Sequence, residues 1–136
     1  MSVLLRVRDE TASGDLVHEL SLDFLQERIT VRELIRERVR QEVEDFNRRQ
    51  DERTFRGLVQ PTDAERVLNG QRSEYRLKAH RPIDWQEQCA RALEAFARNG
   101  FFVLVDERQA ASLDEELVIG PATQVSFVKL VPLVGG

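Results

Sequence analysis

The stretch Phe101–Gly136 reads FFVLVDERQAASLDEELVIGPATQVSFVKLVPLVGG. Its first residues, Phe101–Asp106, form an unbroken apolar run that predicts a buried strand. Glu107-Arg108-Gln109 is a polar step. Ser112-Leu113-Asp114 opens an irregular segment or a turn of helix that ends near Ile119, and Gly120-Pro121 is a turn. Gln124–Val131 reads as a final strand, after which the chain continues through Pro132, Leu133 and Val134 to Gly135 and Gly136.

Upstream of this stretch, Asn99-Gly100 is a helix stop. The helix it ends opens at Pro82-Ile83-Asp84, with Trp85, Cys89, Ala92, Leu93 and Phe96 as its apolar stripe. Residues 50–80 are less regular. Pro61-Thr62-Asp63, then Ala64–Leu68 and Asn69-Gly70, predict a short helix with start and stop signals. Arg72–Lys78 reads as a short strand.

The first half is clearer. Val3, Leu5 and Val7 alternate with Leu4, Arg6 and Arg8, so Ser2–Arg8 reads as a strand. Asp9–Asp15 is turn chemistry. Leu16, Leu20 and Leu22 share one parity over Asp15–Phe24, which makes a second strand and an antiparallel hairpin. Thr30 and Glu33 form a capping-box pattern ahead of a long helix. Val31, Leu34, Ile35, Val39, Val43 and Phe46 make its apolar stripe. Arg32, Glu33, Arg36, Glu37, Arg38, Arg40 and Glu44 are read as a solvated face, as are Glu42, Asp45, Asp51 and Glu52.

Composition narrows the function classes. The 136 residues are 41% apolar and 32% charged, a globular balance sufficient for one domain with its own core. A net charge of −4 argues against nucleic-acid binding by bulk electrostatics. No apolar run reaches the roughly 20 residues that span a bilayer, and the opening residues do not read as a secretory signal. One cysteine, Cys89, excludes an internal disulfide framework and a cysteine-built zinc site. These features make the cytoplasm the expected compartment, with no membrane partner. Of the 20 basic residues only Lys78 and Lys129 are lysine. A GC-rich genome explains that scarcity, and avoidance of lysine as an acyl acceptor would also fit it.

Hairpin, long helix, then strands of which the last runs into Gly135-Gly136: this order resembles the β-grasp fold of ubiquitin-like proteins. The resemblance covers roughly Ser2–Gln50 and Phe101–Gly136, and is closest over Phe102–Gly136. It implies an α+β class, a β-grasp mixed sheet packed on a long helix. Residues 1–136 would form a single domain, with 51–100 a helical insertion between the helix and the third strand. The apolar lead Val131-Pro132-Leu133-Val134 is more similar to the tails of prokaryotic sulfur carriers of the same fold than to the basic, polar tail of ubiquitin.

The resemblance implies a shared chemistry. An activating enzyme adenylates the terminal glycine carboxylate with ATP. The acyl group then passes to a cysteine, or the carboxylate becomes a thiocarboxylate. The implied function is a protein modifier joined by an isopeptide bond to a target amine. A sulfur carrier and a non-catalytic β-grasp binding module are the alternatives. In none of these is the chain itself an enzyme. It needs no intrinsic cofactor and no metal, and ATP is used by the activating enzyme. The implied partners are that enzyme, a conjugating enzyme or deconjugating protease, and protein targets.

The tail residues suit this role physically. Gly135 and Gly136 allow close backbone approach in a narrow channel. Pro132 stiffens the arm where it leaves the strand, and Leu133 and Val134 complete it. A docking patch is expected beside the tail. If Val128 and Leu130 point into the core, then Val125, Phe127, Lys129 and Val131 share the opposite face. That face is either an exposed apolar patch or is covered by the insertion.

The remaining polar candidates carry little. His18 and His80 are two isolated histidines without a visible ligand cluster. Cys89 lies on an apolar stripe, where a free cysteine behaves as a small hydrophobe.

Overall fold

A computed structural model describes residues 2–14, 16–49, 54–55, 57–61, 64–69 and 72–129. The chain is α+β; the described residues form two helices and a mixed five-stranded sheet, with two smaller two-stranded pairings. It divides into two compact units, Met1–Leu34 with Glu94–Gly136, and Ile35–Leu93.

The first unit holds the sheet. Strand β1 (Val3–Thr11) pairs antiparallel with β2 (Leu16–Phe24), so the expected hairpin forms, with β1 running three residues further than its alternation suggested. Gly14 sits at φ +90 in the connection, a conformation that glycine adopts without strain. Leu5, Val7, Leu22 and Phe24 are buried on one face.

Strand β3 (Arg28–Thr30) leads into α1 (Val31–Arg48). The Thr30 cap is present: the Glu33 amide donates to Thr30 Oγ1 at 3.1 Å. The Val31 and Arg32 amides donate to the Glu115 and Leu113 carbonyls at 3.1 and 3.0 Å. Three amides that a helix start leaves without intrahelical partners are thereby satisfied. Those carbonyls belong to the segment 112–119, which is extended at its end: β8 (Glu116–Val118) pairs antiparallel with β3.

Helix α2 (Trp85–Ala97) ends in this unit as the Asn99-Gly100 signal predicts. Asn99 adopts φ 60. Its amide donates to the Phe96 carbonyl, and the Gly100 amide to the Ala95 carbonyl at 2.8 Å. That pair of bonds is a Schellman stop. Strand β6 (Phe101–Val105) follows at once and turns through Asp106 and Glu107, both at positive φ, into β7 (Arg108–Gln109). A two-residue turn with both φ positive matches the right-handed twist of its strands, so the polar step is a hairpin. Strand β9 (Gln124–Lys129) completes the sheet in the order β2-β1-β9-β6-β7, parallel to β1 and antiparallel to β6.

The second unit departs from expectation at residues 64–69. Here β4 (Glu65–Asn69) pairs with β5 (Arg72–Arg76), closing on Asn69↔Arg72. The predicted short helix is therefore a strand. In the sequence Gly70-Gln71 falls between the paired ends Asn69 and Arg72, and Gly-X at that place is a two-residue hairpin signal that competes with the helix stop; five residues are too few for helical propensity to prevail over strand pairing. The expected Arg72 strand is present.

The same unit corrects the reading of α1. Ile35, Val39, Val43 and Phe46 are buried as expected. Arg38, assigned to the solvated face, is 0% exposed, and the Glu42 side chain is 7% exposed. Arg38 Nε donates to Glu42 Oε1, and Glu42 Oε2 accepts the Leu58 amide at 3.1 Å. Positions 38 and 42 recur with 31, 34, 35, 39, 43 and 46, so they lie on the apolar stripe despite their charge.

Candidate exit and docking face of the last strand

Parity sorts the sheet into two faces. Val125 and Phe127 of β9 lie opposite Val105 and Val103 of β6 and beside Val7 and Asp9 of β1. They are 1% and 0% exposed. The Phe127 ring lies 6.0 Å from that of Phe101, which is 5.9 Å from Phe96. Of the two alternatives for this face, exposed or covered, Val125 and Phe127 take the covered one and belong to the core. The sequence held the signal. Gln124 and Ser126 are the polar parity of β9, and a half-buried strand turns its polar parity outward.

The opposite face carries a different set. Phe102 lies opposite Val128, and Leu104 opposite Ser126. Phe102, Leu104 and Val128 are half-buried, and Arg6 and Arg8 of β1 sit next to Gln124 and Ser126 in the same layer. This is an apolar cluster bordered by arginine, one residue out of phase with the expected patch.

Lys129 is the last described residue of β9. It lies between Thr11 at the end of β1 and Phe101 at the start of β6. Because β9 runs parallel to β1 and lies between β1 and β6, Lys129 sits inside the sheet and beside the β1–β2 connection. Lys129 Nζ lies 3.8 Å from Asp9 Oδ2, and Asp9 is 1% exposed. A buried carboxylate needs compensating charge, so this contact ties the end of β9 to β1. The expected tail, Val131, Pro132, Leu133, Val134, Gly135 and Gly136, lies outside the described residues.

A cleft of about 340 Å³ opens on the other side of β6. Phe96, Phe101, Phe102 and Leu113 line it, and Arg32 and Asp114 pair at 3.3 Å among its lining residues. Nearby, Glu115 receives the Ala111 amide at 2.9 Å and lies 2.9 Å from an Arg108 nitrogen. These contacts, the backbone amide first, hold its carboxyl below the usual range.

His18 is exposed at the bulged end of β2. His80 stacks on Phe46 at 4.8 Å, with Nε2 3.1 Å from the Phe46 carbonyl. Cys89 is 7% exposed; burial pushes its thiol up against the opposing influence of Arg36. That direction disfavours the nucleophilic thiolate. Among the described residues, no group of three or more His, Cys, Asp or Glu side chains could hold a metal, and no helix is long and apolar enough to cross a membrane.

Comparison of the chain with family profiles, with curated proteins and with solved structures finds no match.

Proposed function

We propose that this chain is a ubiquitin-like β-grasp modifier, with 51–100 as an insertion between the helix and the third strand. The observation that carries the reading is the sheet order β2-β1-β9-β6-β7, with its parallel β1–β9 pair at the centre. A β-grasp sheet has its last strand in that position, and here that strand leads to Pro132–Gly136. The chemistry then belongs to partners rather than to side chains of this protein. An activating enzyme joins the Gly136 carboxylate to AMP and releases pyrophosphate from ATP. A thiol displaces AMP to give a thioester, and a target amine displaces the thiol to give an amide. The reading requires a free carboxylate at Gly136, as made or after cleavage. Phe102, Leu104 and Val128 form the docking face for the activating enzyme.

The apolar lead Val131–Val134 favours a second reading, in which the carboxylate becomes a thiocarboxylate. One experiment separates the two. Intact mass is measured on protein from the native host, with and without Gly135-Gly136. Adducts on other proteins, lost with the deletion, support the modifier. A gain of about 16 mass units, sulfur for oxygen, supports the carrier. An unmodified chain indifferent to the deletion overturns both and leaves a protein-binding module.

A further inference from the structure

The cleft beside β6, whose lining residues all belong to the first unit, holds backbone groups without a protein partner. In a strand the amide and carbonyl of one residue point to the same side, and successive residues alternate. The Ala110 amide donates to the Val103 carbonyl at 2.8 Å, so Val103 faces the β7 side. The Asp106 amide donates to the Gln124 carbonyl at 2.8 Å, so Asp106 faces β9. Both bonds fix the same phase. Phe101, two residues before Val103, therefore turns its amide and carbonyl toward the β7 side. The β6–β7 register, continued, would set Ser112 opposite Phe101. The chain leaves that register at Ala111, whose amide donates instead to Glu115 Oε1 at 2.9 Å. Among the described residues nothing bonds Phe101 on this side, yet Phe101 is 3% exposed. Backbone groups so enclosed nearly always take a partner.

The cleft shows what kind of partner fits. Its volume of about 340 Å³ lies near the lower end of ligand sites, too small for more than a few residues. Phe96, Phe102 and Leu113 line it and suit an apolar side chain. The Phe101 amide and carbonyl suit an extended backbone, which exchanges both bonds with one residue. Ala110 already holds Val103, so an added strand has room beside Phe101 and no further along β6. The segment that enters therefore ends there. Charge selects the end. Arg32 spends one of its five N–H groups on Asp114, at 3.3 Å. Asp114 is 88% exposed and Arg32 47%, so the guanidinium is the better sheltered charge. A carboxylate complements it, and an amino terminus is repelled.

We propose that this cleft binds the C-terminal end of a partner protein. One extended residue pairs with Phe101 through both backbone bonds, its apolar neighbour packs among Phe96, Phe102 and Leu113, and the terminal carboxylate lies on Arg32. Recognition of this kind joins strand addition to carboxylate capture.

The test is a titration of the full chain, labelled with nitrogen-15, followed by nuclear magnetic resonance. The probes are acetylated tetrapeptides ending in leucine, valine, isoleucine or phenylalanine, each made as the free acid and as the amide, at up to about 1 mM. The free acids should move the Phe101 amide signal and bind about tenfold or more tightly than the amides. Arg32→Gln should remove most of that preference, with an unchanged circular dichroism spectrum. Arg32→Lys should keep part of it, and serves if the glutamine variant fails to fold. A Phe101 signal that no free acid moves overturns the proposal. So do acids and amides that bind alike, and a preference for the acid that neither Arg32 variant changes.

Discussion

On helix α1, two pairs with arginine four residues ahead of glutamate start two residues apart. Arg38–Glu42 has side chains 0% and 7% exposed, and Arg40–Glu44 has side chains 43% and 50% exposed. The residue types and the i,i+4 separation are shared, so the difference comes from helical phase. Each residue advances about 100° around the axis, which places 38 and 42 with Ile35, Val39 and Phe46, and 40 and 44 away from them. The exposed pair is one of several on that side: Arg40 also bonds Glu37, and Arg48 contacts Glu44 and Asp45. Its partners, the Glu37 hydrogen bond first, raise the Arg40 pKa further above an already basic value. The buried pair instead links helix to loop, because Glu42 also receives the Leu58 amide.

That contrast orders the expected effects of mutation. Glu42→Ala should have the largest. It removes a buried counter-charge from Arg38 and an acceptor from Leu58, and breaking such a pair costs about 3–5 kcal/mol. Urea denaturation would measure it; a loss below about 1 kcal/mol would mean that Arg38 reaches water. Gly57→Ala comes next. An added Cβ would overlap the Phe55 ring and stand 2.9 Å from Glu42 Oε2, so crowding should cost about 1–3 kcal/mol. The double replacement Arg38→Met with Glu42→Leu should lose far less than Glu42→Ala, within about 1–2 kcal/mol of wild type. It removes both charges together and keeps apolar volume. A double mutant as unstable as Glu42→Ala would show that the loop needs the carboxylate more than the guanidinium does.

Arg40→Ala should change stability by less than about 0.5 kcal/mol, an effect that added salt abolishes. The smallest expected effect sharpens the comparison with a carboxylate outside α1. Glu115 has a folded pKa held down by the Ala111 amide and Arg108. Its contribution is therefore present above the unfolded carboxylate pKa and is lost as pH falls through the folded value. Glu115→Gln should make melting temperature less acid-sensitive in that window and leave the slope near neutrality unchanged.

Local chemistry was legible where neighbours in sequence are also neighbours in space. The Thr30 cap and the Asn99-Gly100 stop rest on contacts within about five residues, and the apolar stripe of α1 and the strand at Phe101 show as patterns in short windows. Gly70 was ambiguous because the same glycine serves a helix stop after Asn69 and a Gly-X hairpin signal before Arg72, and only pairing with β5 resolved it. The burial of Val125 and Phe127 was not legible in the same way. Val125, Phe127 and Val128 are all apolar, and the choice of inward parity turned on an assumption about Val128 and Leu130. The polar Gln124 and Ser126 were the better guide.

The sequence by itself determined the Thr30 cap, the Asn99-Gly100 stop and the apolar positions of α1, because these depend on backbone preference and periodicity over a few residues. The tertiary structure decided three things that no short window contains. It set β9 between β1 and β6, since parallel pairing joins segments from opposite ends of the chain. It chose which parity of that strand is buried, since burial depends on what packs against it. It also made Arg38 and Glu42 an interior pair, since only a folded chain can bring the Leu58 amide and two opposite charges together where neither charge meets water.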